Sequence, residues 1–177
     1  LVLDMLAHVL SILHSCERFE RISVVSSDWR ALSFAEQRGA MPVLEQQRGH
    51  NPALRAAAQR ELDDGAQALL TISADLPLLD RCDILSMIAL AEQFDVVLAP
   101  SHEGTGTNAL LTKPPLVIPY LFGENSSARH LEAARTRHIN STLYQSSTLA
   151  FDVDTIEDVQ QLERVRPMWR EQPGLAV

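Results

Sequence analysis

The hydrophobic positions of this chain switch repeatedly between two spacings. Near the start they follow a helical period, placing one apolar stripe on Val2, Leu6, Val9 and Leu13. The next apolar stretch, residues 21–26, is short and rich in β-branched side chains, which is typical of a buried strand. This alternation predicts an α/β fold with a largely parallel sheet covered by helices on both faces.

The same patterns, with their capping and breaking residues, predict the elements along the rest of the chain. Helices are predicted at residues 3–16, 29–38, 52–64, 80–93, 128–137 and 156–166. Strands are predicted at residues 21–26, 41–44, 68–73, 94–100, 108–112, 139–144 and 148–152. Asn51 is the expected N-cap of the third helix, with Pro52 at its first position, and the tail from Pro167 is expected to be loosely ordered.

The strand at residues 68–73 breaks off at a carboxylate. Pro77 cannot continue a ladder and keeps Leu76 extended, so Asp75 is expected at the carboxyl end of the strand, where open α/β sheets bind ligands. On position alone, an Asp75 that only caps a turn is an equal alternative. A phosphate-type loop and a second acidic pair further along the chain favour the ligand site.

The loop at residues 102–108 has the composition of an anion site. Gly104 and Gly106 let the backbone approach a ligand closely, and Thr105 and Thr107 place hydroxyl groups beside phosphate or carboxylate oxygens. The alternative is a glycine-rich hairpin turn.

A second anion site is predicted where the helix at residues 128–137 begins. Asn125, Ser126 and Ser127 precede it, its free amides and dipole favour a negative group, and Arg129 and His130 in the first turn are within reach. Simple capping by serine or asparagine is equally compatible with this segment.

Asp152 and Asp154 lie two residues apart on an extended segment and so point to the same face, where they can hold hard cations together with Asp75. The alternative for Asp154 is a capping box: Asp154 or Thr155, followed by Asp158, suits the start of the last helix.

Composition narrows the class of function. The 177 residues suffice for a single domain, here residues 1–177, and the net charge of −8 argues against nucleic acid or an anionic membrane as partner. Two cysteines without metal-ligand spacing favour a reducing cytoplasm, and no apolar run reaches the ~20 residues of a membrane span. Paired histidines and the GxSxG, P-loop and GxGxxG fingerprints are absent from the sequence.

Four motifs in order resemble the 2-phospho-L-lactate guanylyltransferase family over residues 51–162. They are Ser73-Ala74-Asp75-Leu76-Pro77, Gly104-Thr105-Gly106-Thr107-Asn108 after Ala99-Pro100, Phe122-Gly123 with Ser126, Ala128, Arg129 and His130, and Asp152-Val153-Asp154-Thr155 with Glu157-Asp158. The resemblance implies a three-layer α/β/α fold of the nucleotide-diphospho-sugar transferase (GT-A-like) type, with a mostly parallel mixed sheet. It also implies transfer of GMP from GTP to a three-carbon phospho-acid in the biosynthesis of coenzyme F-420. That acid is 2-phospho-L-lactate, phosphoenolpyruvate or 3-phospho-D-glycerate.

The resemblance also implies roles for individual residues. The Mg²⁺ carboxylates and catalytic residues are Asp75, Asp152 and Asp154. The residues that bind the phospho-acid are Thr107, Gly123 and Ser126. Thr105, Asn108 and Arg129, on the same two loops, are also expected to bind it. The nucleotide residues are Asn51, Ala74 and Asp75. Two positions depart from the family pattern: His50 before Asn51, and Ile156 in place of a proline.

Family members begin with a strand and a basic loop that embraces the GTP phosphates, and the sequence given starts after that point. The central strand of the sheet and part of the GTP site are therefore expected outside it. A phosphate monoester is already anionic near pH 7, so the absence of a histidine or lysine base fits this chemistry.

Two alternatives stay open on the sequence. One is a transferase of the same fold that acts on a sugar or polyol phosphate. The other is a non-catalytic protein that binds a phospho-ligand. A homodimer is an assembly that the sequence neither requires nor excludes.

Overall fold

The computed structural model describes residues 1–46 and 49–167, and within them the chain alternates between helices and strands. The helices are α1 (Val2–Ser15), α2 (Trp29–Glu36), α3 (His50–Asp63), α4 (Arg81–Leu90), α5 (Ser126–Thr136) and α6 (Ile156–Val165). The strands are β1 (Ser23–Ser26), β2 (Met41–Leu44), β3 (Leu69–Ile72), β4 (Val96–Pro100), β5 (Thr107–Thr112) and β6 (Ser141–Leu143). Most of the predicted tail, residues 168–177, lies outside the described part.

One predicted strand is wrong. Residues 148–152 form a turn followed by irregular backbone, because Ser146 Oγ accepts hydrogen bonds from the amides of Thr148 and Leu149, and Ala150 N–H donates to the Ser146 carbonyl. Beyond this turn, the Ala150 carbonyl accepts a hydrogen bond from the His102 amide, and the Val153 amide donates one to the Asp75 carbonyl. Both partners lie in loops and not in a strand. The apolar residues Leu149, Ala150 and Phe151 suggested a strand, but the local turn determines the backbone here.

The sheet is mixed, as expected. Its four-stranded part has the order β3-β5-β4-β6, in which β5 is antiparallel to both neighbours and β4 is parallel to β6. Three strands thus share one direction and β5 opposes them. The reason for the reversal is the short connection between β4 and β5, since a short loop can join only antiparallel strands.

β1 and β2 form a separate parallel pair. Among the described residues, no ladder joins this pair to the four-stranded sheet, and β1 and β3 are both only half-buried. The expected additional strand therefore stays a prediction.

Helices cover both faces of the central strands. Along β4, Val97 faces a core shared with Val9 of α1 and Met87 of α4, whereas Leu98 faces a core shared with Ala134 of α5. This alternation follows from the two-residue period of a strand. It confirms the three layers and explains the continuous hydrophobic run of β4, which is buried on both sides. No helix in the described ranges is long and apolar enough to cross a membrane.

Candidate active site

The structure brings Asp75 next to the acidic pair from the end of the chain. The backbone N–H of Val153 donates a 3.2 Å hydrogen bond to the carbonyl oxygen of Asp75, so Asp152 and Asp154 flank the residue that is tied to it. Burial raises the pKa of the Asp75 carboxyl, and the nearby charges of Asp154 and Asp152 raise it further. These three acidic side chains therefore share one electrostatic environment.

Two carboxylate oxygens in this group lack a donor. Asp75 Oδ1 and Asp152 Oδ1 are buried and have no hydrogen-bond partner among the described residues. The imidazole of His102 lies beside Asp152, with its Nδ1 3.6 Å from Asp152 Oδ1. Buried polar atoms are normally paired, so two unpaired carboxylate oxygens require an explanation, and a cation that binds to them is a common one.

Residues other than Asp154 and Asp75 cap the two helices that follow them. Thr155 is the N-cap of α6, and its hydroxyl and backbone exchange hydrogen bonds with Asp158. The Asp154 side chain is left out of this box, and burial together with the charge of Asp152 raises its pKa. In the same way Asp80 caps α4, which leaves Asp75 out of that helix start.

The glycine-rich loop is the hairpin between β4 and β5. Ser101 closes it, because its amide donates to the Gly106 carbonyl at 3.1 Å and its Oγ accepts from the Gly106 amide at 3.0 Å. A Cβ atom on Gly106 would lie 2.9 Å from Ser101 Oγ. The hairpin alternative is thus confirmed as the local structure, and it leaves Thr105 and Gly104 exposed.

Asn108 links this hairpin to the acidic segment. Its Nδ2 donates to the carbonyl oxygens of Leu149 at 3.2 Å and Ala150 at 3.1 Å, and the His102 amide also donates to Ala150 at 2.9 Å. Asn108 is buried and uses its amide group on backbone, so in this structure it positions the segment that leads to Asp152. Its predicted contact with the substrate stays a prediction.

Thr107 and Ser126, which lie in two separate motifs, meet in the structure. Ser126 Oγ donates to Thr107 Oγ1 at 3.0 Å, and Nδ1 of His130 lies 3.2 Å from the same oxygen. All three side chains are buried. Burial lowers the pKa of His130 to about 4, with repulsion from Arg129 adding to the effect and a hydrogen bond to the Ser126 backbone opposing it.

The predicted contact of His130 with an anion stays a prediction, but its imidazole is neutral near pH 7. The cause is its place on the inner face of α5, where no solvent reaches it. Arg129, one position earlier, is exposed instead. It lines a depression of about 490 Å³ on α5 with Leu121 and Ala133, and none of the three predicted metal carboxylates lines it.

The start of α5 differs from the predicted set of free amides. Ser126 N–H donates to the Gly123 carbonyl, and Ser127 N–H donates to the Thr105 carbonyl, both at 3.1 Å. Asn125 is the N-cap in a left-handed conformation, and its side chain makes no capping bond. The Ser127 bond joins the two predicted anion loops to each other, and neither of the two amides is available to a ligand.

Asn51 does not cap its helix, contrary to expectation. α3 begins at His50, two residues earlier than predicted, with Gly49 as N-cap. The Asn51 amide instead makes two hydrogen bonds to the backbone of Phe122, to its carbonyl at 2.9 Å and from its N–H at 2.8 Å. Asn51 thereby fixes the stretch that leads to Gly123, and its nucleotide role, like that of the exposed Ala74, stays a prediction.

Sequence reasoning missed two residues of this region. His102 lies next to Asp152, and Ser101 closes the hairpin. The signal for Ser101 was available, because a serine just before a Gly-rich turn can bond to its backbone. No local pattern indicated His102, whose neighbour is fifty residues away.

Comparison with solved structures identifies the type of fold. A solved structure described as a putative nucleotide-diphospho-sugar transferase from Desulfovibrio desulfuricans G20 superposes with a TM-score of 0.74, at 16% identity, over 97% of this chain and 79% of that one. At this identity the likeness establishes the fold, which is the one expected from the sequence motifs.

The sequence comparisons identify the family. The model of the family described as "Guanylyl transferase CofC like" matches residues 1–163, and the chain belongs to this family. A phosphoenolpyruvate guanylyltransferase from Sphaerobacter thermophilus is 36% identical over 95% of this chain and 81% of its own length. A 2-phospho-L-lactate guanylyltransferase from Methanocaldococcus jannaschii is 31% identical over 92% of this chain and 69% of its own length.

Proposed function

We propose that this protein is an Mg²⁺-dependent guanylyltransferase that transfers GMP from GTP to the phosphate of a three-carbon phospho-acid in coenzyme F-420 biosynthesis, in the cytoplasm. The observation that supports it most directly is the hydrogen bond between Val153 and Asp75. It draws together acidic residues 77 positions apart and leaves buried carboxylate oxygens without donors. Family membership supplies the reaction class.

The carboxylates suit Mg²⁺. Within residues 1–46 and 49–167, no group of three or more His, Cys, Asp or Glu side chains is arranged to hold a metal ion by itself. Mg²⁺ prefers oxygen ligands and is usually held by one or two carboxylates together with substrate phosphates and water. Asp75 and Asp152 would supply the two unpaired oxygens, with Asp154 beside them. When bound, the ion neutralises phosphate charge and stabilises the charge that develops during transfer.

The phospho-acid would lie against the two joined loops. Thr107 and Ser126 form one hydrogen-bonded group, and Gly123, with a φ of +110°, has open space where a side chain would project. An oxygen of the acid's phosphate attacks the α-phosphorus of GTP, the bond from that phosphorus to the bridging oxygen breaks, and pyrophosphate leaves. The phosphate is already ionised near pH 7, so the site's residues need only position it.

Phosphoenolpyruvate is the acid we assign first. The relative named for it is 36% identical, and the relative named for 2-phospho-L-lactate is 31% identical. With a net charge of −8, the protein repels all of these acids at long range, so binding depends on the local groups of the site.

The test uses the full-length protein with GTP and Mg²⁺, and offers phosphoenolpyruvate, 2-phospho-L-lactate, 3-phospho-D-glycerate and a sugar phosphate in separate reactions. Pyrophosphate release and the mass of the nucleotide product are measured, with ATP and CTP as matched nucleotide controls and EDTA as the metal control. Product with a three-carbon acid and GTP supports the proposal. If product forms only with the sugar phosphate, or if no product forms with any of the four compounds, the proposal is overturned.

A further inference from the structure

The buried group formed by Thr107, Ser126 and His130 determines its own proton positions. The backbone N–H of Leu121 donates to His130 Nε2 at 2.9 Å, so Nε2 must present a lone pair. A neutral imidazole carries a single N–H, and that proton therefore lies on Nδ1. The strongly lowered pKa of His130 is consistent with the neutral ring.

The proton on Nδ1 faces the Thr107 hydroxyl. Nδ1 lies 3.2 Å from Thr107 Oγ1. Ser126 Oγ donates to Thr107 Oγ1 as well, at 3.0 Å. A hydroxyl has two acceptor sites and one proton, so both acceptor sites of Thr107 are filled by donors from the protein.

The proton of Thr107 is then the group left for a ligand. We propose that His130 is a positioning residue: with Ser126, it makes the Thr107 hydroxyl a donor only, so that this position of the site accepts an unprotonated oxygen and rejects a hydroxyl or amide donor. This inference rests on the proposed function, in which that oxygen belongs to the carboxylate or phosphate of the phospho-acid.

The matched variants are His130→Asn and His130→Gln. The Asn side chain is short and places its amide where Nδ1 lies, so it keeps a donor for Thr107 and loses the acceptor for the Leu121 amide. The longer Gln side chain reaches the position of Nε2, so it keeps the acceptor for Leu121 and loses the donor for Thr107. The two variants thus separate stability from ligand positioning.

For His130→Gln we expect the KM for phosphoenolpyruvate to rise about 10- to 100-fold, the range typical of a hydrogen bond to a charged group. Its KM for GTP should be unchanged and its melting temperature near wild type. For His130→Asn we expect the KM to stay within about threefold and the melting temperature to fall, because the buried Leu121 amide loses its partner. A purely structural His130 would instead make KM and stability change together, and that result would overturn the inference.

Thr107→Val is the background control. With the Thr107 hydroxyl removed, His130→Asn and His130→Gln should give the same KM for phosphoenolpyruvate, because residue 130 then has no hydroxyl to orient. A remaining difference of tenfold between them in this background would contradict the assigned route through Thr107.

A second measurement does not depend on turnover. Long-range ¹H–¹⁵N correlation spectra of the His130 imidazole at pH 7 should show a protonated Nδ1 and a bare Nε2. A protonated Nε2 would overturn the inference whether or not the enzyme is active. If wild type turns over none of the acids, the proposed function fails, and the spectrum together with phosphoenolpyruvate binding by calorimetry still decides the role of His130.

Discussion

The amide of Val153 donates a hydrogen bond to the carbonyl oxygen of Asp75. This contact joins the loop after β3 to the segment before α6 at the point where each carries its acidic residues. Burial raises the pKa of Asp75, and repulsion from Asp154 and Asp152 raises it further, so the ionised Asp75 carboxylate is held in the fold at a cost in stability. Such a conflict is expected where a cation binds.

Replacing Asp75 with Asn should therefore separate activity from stability. Turnover should fall at least about 10³-fold, because the variant loses a carboxylate assigned to the metal. The free energy of unfolding should rise at pH 7 by on the order of 1 kcal/mol, or about 2–4 °C in melting temperature. A group with a raised folded pKa loses stability as pH rises, so this gain should shrink as pH falls towards about 3.9. An active variant, or a less stable one, would contradict this account.

Asp83→Asn is the matched control. Asp83 is buried too, but its carboxylate accepts hydrogen bonds from Tyr144 Oη, Thr148 Oγ1 and the Asp80 amide. An amide cannot accept all three, so this variant should be destabilised by about 1–3 kcal/mol. Thermal unfolding of both variants with and without Mg²⁺ measures the contrast, and only wild type and Asp83→Asn should gain stability from the ion.

His130 should make stability depend on pH in the opposite sense. Its pKa is lowered from 6.5 to about 4 in the folded protein, so on acidification the unfolded chain takes up the proton first. Relative to His130→Gln, wild type should lose on the order of 3 kcal/mol between about pH 6.5 and pH 4. Denaturant titrations at several pH values measure this, and His8, whose pKa burial also lowers, cancels because both proteins carry it. A difference independent of pH would exclude the buried neutral imidazole.

Gly106→Ala should distort the hairpin between β4 and β5. The added Cβ would lie 2.9 Å from Ser101 Oγ and 3.2 Å from Ser101 Cβ, so the loop must shift. We expect a loss of about 1–3 kcal/mol in stability and a higher KM for the phospho-acid. Combining it with Ser101→Gly removes both clashing atoms and should restore part of the KM. The absence of any rescue would place the defect elsewhere.

Asn51→Ala removes two hydrogen bonds to the Phe122 backbone and should destabilise the protein by about 1–3 kcal/mol. Asn51→Asp keeps an acceptor for the Phe122 amide but loses the donor to its carbonyl, so it should also be destabilised. The melting temperature and the KM for GTP are measured for both variants and for wild type. If the KM for GTP rises in Asn51→Asp at a temperature where the variant is fully folded, Asn51 also contacts the nucleotide; an unchanged KM would reject that role.

Much of the element pattern could be predicted from local sequence. The continuous apolar run of β4 indicated a strand buried on both faces, and α4 and α6 begin with capping boxes. Errors occurred where a polar side chain bonds to the backbone in a way that the local pattern did not indicate. Residues 148–152 have a strand-like composition, but the Ser146 hydroxyl turns the chain there. Asn51 has the chemistry of a cap, but its amide bonds to Phe122, 71 positions away.

The candidate site was also predictable only in part from the sequence. The sequence by itself determined which residues carry hydroxyls, carboxylates and glycines, and in which order, because these are properties of single positions and short motifs. Only the tertiary structure decided that Thr107 meets Ser126 and His130, that Asp75 is tied to Val153, and that burial leaves His130 neutral. The physical reason is that a hydrogen-bond partner and a pKa depend on what surrounds a group in space, and in this fold those neighbours come from distant segments of the chain.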